Sequence, residues 1–148
     1  MSQIVIDAID RKILKYLITN ARMPFLEIAR KCGISGAAIH QRIRKLDEAG
    51  VILGSRLIVD PKMMGFDVCA HISITLKDPS ILMQTVDRLK QIPEIVECHF
   101  ITGTYNLFVK LYCVDNEHLM TTLCDRILAI PGISTTQTYI SLNEAFQR

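Results

Sequence analysis

The segment at residues 25–52 constrains the fold of this chain most strongly, because it predicts two short helices joined by a tight turn. Helical apolar spacing stops at Gly33, which can adopt the positive φ angle that ends a helix, and Ser35 is a good N-cap for a second helix. That second helix is predicted over residues 36–48, with one apolar face formed by Ile39, Ile43 and Leu46. This is the helix-turn-helix pattern, in which the second helix enters the major groove of DNA.

The opposite face of the second helix is polar and basic. A Gln side chain can bind adenine and an Arg side chain can bind guanine through paired hydrogen bonds, whereas Arg42 and Lys45 are placed to contact phosphates. Small residues at the helix start allow close approach to a duplex, and their amides can bind a phosphate. The predicted DNA-contacting residues are Ser35, Gly36, Ala37, His40, Gln41, Arg42, Arg44 and Lys45. The plainer interpretation is a solvated basic face on an ordinary helix pair.

Charge is unevenly distributed along the 148 residues, although the net charge is only +2. Between Arg11 and Arg56 there are ten basic residues and three acidic ones, and the later part is near neutral or acidic. The low net charge argues against general coating of nucleic acid. The asymmetry suggests a basic partner-binding module joined to a second part.

Several classes of protein are not favoured by the sequence. It has no run of about 18 apolar residues and no secretory signal, so we expect a cytoplasmic protein without a membrane span. Five cysteines without CxxC spacing predict reduced thiols, and neither they nor the four histidines show metal-ligand spacing. No nucleophile–base pair, paired carboxylates or phosphate loop is recognisable. We therefore expect no catalytic residues, no metal and no cofactor.

The first part of the chain reads as a winged helix-turn-helix unit. A first helix is predicted over residues 6–19, and the short stretches VIL and RLIV at residues 51–59 predict a β-hairpin, the wing, around Gly54 and Ser55. From this wing Arg56 would touch the DNA backbone or minor groove. The expected division is a helix-turn-helix domain at residues 1–52, wing and linker strands at 53–66, and a second domain at 67–148.

The second part alternates strands and helices in the order β-α-β-β-α-β, which is the ferredoxin-like arrangement. Its strands are predicted at residues 68–76, 95–101, 106–114 and 133–142, with helices at 79–92 and 116–130. The whole chain is thus of the α+β class. Two helices cover one face of a four-stranded sheet, and aromatic residues such as Phe108, Tyr112 or Tyr139 fall on the other face, depending on register. A second copy is expected to cover that face, giving a homodimer.

Two separate stretches make the chain resemble the Lrp/AsnC (feast/famine) family of transcription regulators. The first part carries IDAIDRKILKYLITNARMPFLEIARKCGIS followed by RIRKLDEAGVI, and the second carries ITGTYNLFV followed by IPGISTTQTYI. The resemblance covers nearly the whole chain. It implies that double-stranded DNA is one partner and that the second domain binds an effector, commonly an amino acid. It also implies that dimers assemble into an octameric ring.

The resemblance implies that effector contacts come from the glycine turn of Thr102, Gly103, Thr104, Tyr105 and Asn106. The family often has Asp at the position of Asn106, so a charge that would hold an α-ammonium group is absent here. Hydroxyl groups are available at the start of the last strand, from Thr135, Thr136 and Thr138. A plain hairpin with a strained glycine is the alternative interpretation of the turn.

Three functions follow from these observations. The first is a DNA-binding regulator that senses an amino acid or a related metabolite. The second is an architectural protein that organises DNA without a ligand. The presence of Asn106 in place of the Asp often found in the family is compatible with this function. The third is an enzyme similar to the siroheme decarboxylases, in which His71 and His99 would assist the reaction. We expect each of these histidines to be a core or interface residue instead.

Overall fold

The computed structural model describes residues 5–146, and the chain divides into two compact units, with the boundary between Ile58 and Val59. The first unit contains α1 (Ala8–Thr19), α2 (Phe25–Cys32) and α3 (Gly36–Glu48). The second contains β1 (Val68–Leu76), α4 (Leu82–Leu89), β2 (Ile95–Phe100), β3 (Leu107–Cys113), α5 (Asn116–Thr121) and β4 (Ile133–Ser141). A π-helical stretch, Thr122–Ile127, continues α5. None of the helices in residues 5–146 has the length and hydropathy needed to cross a membrane.

The first unit is a three-helix arrangement held by local caps and a small core. Gly33 has a φ angle of 69° and ends α2, and the Oγ of Ser35 accepts a hydrogen bond of 3.1 Å from the amide of Ala38 at the start of α3. Both features are as the sequence predicts. Four fully buried side chains connect the three helices, namely Ile13, Ile28, Ala29 and Ile39.

The predicted wing is wrong. Residues 51–60 contain neither strand of the expected hairpin, and residues 61–66 contain only the 3₁₀ turn Lys62–Met64. An isolated two-stranded hairpin is marginal in water, and the apolar side chains of Leu53, Leu57 and Ile58 are exposed. Leu53, for example, is 95% exposed. The helix-turn-helix part of the predicted fold is confirmed, but it has no wing in this chain.

The second unit confirms the predicted β-α-β-β-α-β order. Its four strands form an antiparallel sheet in the order β2-β3-β1-β4. One face packs against the helices through fully buried residues that alternate along the two central strands, namely Ala70, Ile72, Ile74, Leu107, Val109 and Leu111. This alternation is the signature of a sheet with one covered face.

The other face of the sheet, which we call the open face, is amphipathic. Register places Phe108, Tyr112 and Tyr139 together on it, each paired with a β1 residue that points away from the helices. It also carries Lys110, whose largely buried ammonium group lies 3.1 Å from a carboxylate oxygen of Glu144. Burial disfavours this charge, but interactions with Tyr112 and Glu144 outweigh it and raise the pKa of Lys110.

A polar cluster joins the start of β2 to α5 on the other side of the sheet. The carboxylate of Glu94 accepts hydrogen bonds from Arg126 at 2.6 Å and from His118 Nε2 at 3.1 Å. His118 Nδ1 accepts a 3.2 Å bond from the Val114 amide, so the Nε2 atom must carry the proton donated to Glu94. Burial raises the pKa of Glu94, but hydrogen bonds, including the one from His118, and the charge of Arg126 produce a net lowering.

Candidate functional site

The outward face of α3 presents polar groups that other parts of the unit do not use. Gln41, Arg44 and Lys45 are exposed, and none of them has a hydrogen bond or ion pair with another side chain in residues 5–146. Their donors are therefore free for a partner. His40 is also exposed, and its ring packs edge-on against Phe25 of α2 with 5.3 Å between centroids.

The start of α3 combines a cap with close helix packing. Ser35 is the N-cap, and Ala37 is exposed beside it. Gly36 was predicted to allow close approach to a duplex, but it is only partly exposed. A Cβ atom at this position would lie 2.9 Å from Leu26 Cδ2. The glycine therefore serves the contact between α2 and α3.

Arg42, which the sequence predicts to contact phosphate, forms ion pairs within its own unit. Its Nη1 atom lies 2.6 Å from Asp7 Oδ2 and 2.7 Å from Asp10 Oδ1, both at the N-terminus of α1. Its side chain is 29% exposed. Hydrogen bonds from the Asp10 amide and from Arg42 lower the pKa of Asp7. Arg56 lies in the exposed irregular segment after α3 and not on a wing.

The glycine turn of the second unit is anchored by Asn106. The Asn106 Oδ1 atom accepts a 2.8 Å hydrogen bond from the Leu76 backbone amide. The backbone amide of Asn106 donates to the Ile74 carbonyl at 2.9 Å. The last pair of the ladder between β1 and β3 is Ile74 with Leu107, and the Asn106 side chain supplies the acceptor for the Leu76 amide just beyond it. The residue that departs from the family pattern is thus a structural link between the turn and β1.

The tip of the turn reaches β4 through Tyr105. Gly103 has a φ angle of 113°, a region that favours glycine, and Thr102, Gly103 and Thr104 are exposed. The Tyr105 hydroxyl donates a hydrogen bond to Gln137 Oε1. Because Oε1 is engaged, the amide hydrogens of Gln137 are left as donors. No sequence motif singles out Gln137, although it lies between two threonines predicted to bind the effector.

The three predicted threonines do not share one face. Thr135 pairs with Thr75 and is exposed on the open face, together with Gln137. Thr136 and Thr138 pair with Ile74 and Ile72, whose side chains are buried against the helices, so they point to the covered side of the sheet. Only Thr135 is therefore placed to join Tyr105 and Gln137.

The two histidines considered for catalysis both lie on the open face. His71 stacks on Phe108 with 5.5 Å between ring centroids, and His99 Nε2 lies 3.4 Å from Glu97 Oε2. Each histidine thus contacts a neighbouring side chain of the sheet. Within the described part of the chain, no three His, Cys, Asp or Glu side chains are grouped to hold a metal ion.

Comparison with known proteins covers both units. Residues 6–47 match the AsnC-type helix-turn-helix domain, and residues 67–148 match the Lrp/AsnC ligand binding domain. The regulatory protein AsnC of Escherichia coli K12 is 36% identical over 148 residues, which cover all of this chain and 97% of that protein. The proline dehydrogenase transcriptional activator of Rhodobacter capsulatus is 31% identical over 146 residues, covering 97% and 95% of the two chains.

Solved structures agree with the sequence comparison. E. coli AsnC superposes with a TM-score of 0.91 at 36% identity, covering 98% of this chain and 97% of that one. A feast or famine regulatory protein from Mycobacterium tuberculosis, complexed with L-methionine, gives 0.90 at 27% identity, covering 97% and 96%. With both domains matched in order over nearly the full length, the chain belongs to the Lrp/AsnC family of transcription regulators.

Proposed function

We propose that this regulator binds double-stranded DNA through α3, as a homodimer, and adjusts that binding to an amino acid held at the glycine turn. The observation that carries the DNA contact is the set of unpaired donors on Gln41, Arg44 and Lys45. Residues 1–52 then serve as the DNA-binding domain, and residues 67–148 as the effector-binding and oligomerisation domain. Such a protein works in the cytoplasm, where bacterial and archaeal DNA lies.

The DNA contact is tested by titrating duplex DNA with the full chain over a series of salt concentrations. We use a duplex selected by this protein from a random library, together with a scrambled duplex of the same composition. Replacing Lys45 with Gln removes one phosphate contact, so the slope of log affinity against log salt should fall by about 0.9. Binding that depends on neither salt nor sequence would contradict the proposal.

The effector site is assigned to the region between the glycine turn and the start of β4. Tyr105, Gln137 and Thr135 offer neutral donors and acceptors there, beside the exposed backbone at Gly103. With no carboxylate among the turn residues and Thr135 to Thr138, an α-ammonium group would be held by carbonyl and hydroxyl oxygens. The Mycobacterium tuberculosis relative in complex with L-methionine supports an amino acid as the class of ligand.

Effector binding is tested by a thermal-shift screen of the twenty amino acids. A ligand at a hundred times its dissociation constant should add about 2.7 kcal/mol, which raises the melting temperature by several degrees. Tyr105→Phe removes the hydroxyl that orients Gln137 and should weaken any hit. Thr136→Val lies on the covered side of the sheet, so its binding should resemble that of the unaltered protein.

The absence of any hit in this screen would favour the architectural alternative. One observation is compatible with that alternative. The side-chain oxygen of Asn106 accepts a hydrogen bond from the Leu76 amide, and the residue adds no charge to the site. A ligand-free organiser would bind many duplexes at similar affinity. The selected and scrambled duplexes would then differ by less than about threefold, well under the ratios typical of specific binding.

The homodimer is assigned to the open face, with the exposed apolar segment after α3 as a second contact. Tyr139 is 45% exposed, and Leu53, Leu57 and Ile58 lie largely in solvent. Apolar side chains gathered in this way mark surfaces that another chain covers. Assembly of dimers into an octamer is the further expectation. Sedimentation over a range of protein concentrations distinguishes the monomer, the dimer and the octamer.

A further inference from the structure

The carboxylates of Asp7 and Asp10 form a closed hydrogen-bond network with Arg42. Asp7 Oδ1 accepts from the amides of Ile9 and Asp10 at 2.9 and 2.8 Å, and Asp10 Oδ2 accepts from the Asp7 amide at 3.2 Å. These reciprocal bonds cap α1 and leave one oxygen on each carboxylate. Arg42 Nη1 donates to both of those oxygens. All four carboxylate oxygens therefore have a donor.

Arg42 cannot leave this network without cost. The Asp10 side chain is only 4% exposed, so its charge would be left buried and uncompensated if the guanidinium group moved to a DNA phosphate. Removing one partner of a buried pair is strongly unfavourable for this reason. A phosphate contact by Lys45, which is exposed and unpaired, carries no such penalty.

The network joins two elements that otherwise contact each other through a small apolar core. It connects the first turn of α1 to the middle of α3, where Arg42 lies next to Gln41 and two residues before Arg44. Side chains stand about 5 Å from a helix axis, so a rotation of α3 by about 20° would move them by about 2 Å. A shift of that size exceeds the tolerance of a hydrogen bond to a base edge.

We propose that Arg42 is a positioning residue: by binding Asp7 and Asp10 it fixes the rotation of α3, and it makes no phosphate contact itself. This inference rests on the proposed contact of α3 with DNA. It assigns the specificity of that contact partly to two acidic residues outside the helix-turn-helix motif. It also predicts that substituting either an acidic residue of the network or Arg42 lowers the specificity of DNA binding in the same way.

The test compares Arg42→Gln and Asp10→Asn with Lys45→Gln, in the full chain and on the selected and scrambled duplexes described above. We expect Arg42→Gln to lower the ratio of specific to non-specific affinity roughly tenfold, while its salt slope stays within about 0.3 of the unaltered protein. Asp10→Asn should lower the ratio similarly, although removal of a negative charge alone would strengthen DNA binding. The double variant should lose no more than Arg42→Gln, since both substitutions open one network.

Three results would overturn the inference. One is a salt slope for Arg42→Gln that falls as far as that of Lys45→Gln. Another is an unchanged specificity ratio for Asp10→Asn. The third is a lowered melting temperature with an unchanged ratio in both variants, which would make the network stabilising only.

Circular dichroism confirms folding at the assay temperature, and if Arg42→Gln does not fold, Arg42→Lys and Asp7→Asn provide the same comparison. If the unaltered protein itself shows no salt-dependent binding, the proposed function fails and this inference with it.

Discussion

Single residues in this chain take their roles from partners that are distant in sequence. Compared with the family pattern, which often has Asp at this position, Asn106 lacks a negative charge that could bind a ligand. In the structure the Asn106 Oδ1 atom accepts a hydrogen bond from the amide of Leu76, thirty residues away, just beyond the last pair of the ladder between β1 and β3. A buried amide without an acceptor costs about 1–3 kcal/mol. This hydrogen bond therefore stabilises the fold whether or not Asn106 contacts a ligand.

Substitutions of Asn106 should therefore separate stability from ligand binding. Asn106→Asp keeps an acceptor for the Leu76 amide and should leave the free energy of unfolding nearly unchanged. Asn106→Leu removes the acceptor and should cost about 1–3 kcal/mol. Urea unfolding at neutral pH measures both. Equal stability of Asn106→Leu and the unaltered protein would show that water or another group satisfies the amide.

Gly33 gives a second prediction, concerning backbone conformation alone. Its φ angle is 69°, and a Cβ atom placed there would meet nothing within 4 Å. Gly33→Ala should thus cost about 1–2 kcal/mol through the left-handed conformation, without a steric clash. Asn tolerates this region better, so Gly33→Asn should cost less. Thermal unfolding of the two variants gives the comparison, and equal losses would contradict the conformational explanation.

Elements, in contrast to single contacts, were largely predictable from local signals. The boundaries of α2 and α3 follow from Gly33 and Ser35, and the four strands of the second unit lie within one residue of their predicted ends. Long-range arrangement was not predictable. The partners of Arg42 lie 32 and 35 residues before it, and the faces of Thr135 and Thr136 depend on pairing with β1. The wing prediction was wrong because short apolar stretches indicate a strand without indicating what covers it.

The cluster of Glu94, His118 and Arg126 makes the junction of β2 and α5 sensitive to acid. Since the pKa of Glu94 is lowered on folding, the stabilisation is present above its ordinary value of 4.5 and is lost as pH falls through the folded value. Glu94→Gln should lose about 1–2 kcal/mol at pH 7 and should depend less on pH below about 5. Glu117→Gln, an exposed position on α5 without an ion pair in the described residues, is the control. Parallel pH profiles for Glu94→Gln and the unaltered protein would contradict this account.

At the scale of the whole molecule, the open face carries both apolar and charged groups, and this combination bears on which chains can pair. Aromatic residues favour burial, whereas Lys110 needs Glu144 or another acidic group beside it once water is excluded. Because Glu144 of the same chain already supplies that acidic group, a partner covering the open face would need to match its aromatic surface and leave this ion pair intact.

The open face also provides the test of the dimer. Tyr139→Glu places a charge on this face at a position that is 45% exposed, so it should not disturb the covered core but should oppose burial against a second copy. We expect the dissociation constant of the dimer to rise at least about tenfold, since desolvating an unpaired carboxylate costs more than 1.4 kcal/mol. Met83→Glu, on α4 and 61% exposed, is a matched control on the other side of the sheet. Sedimentation equilibrium measures both variants, and a dimer of unchanged affinity in Tyr139→Glu would move the interface away from the open face.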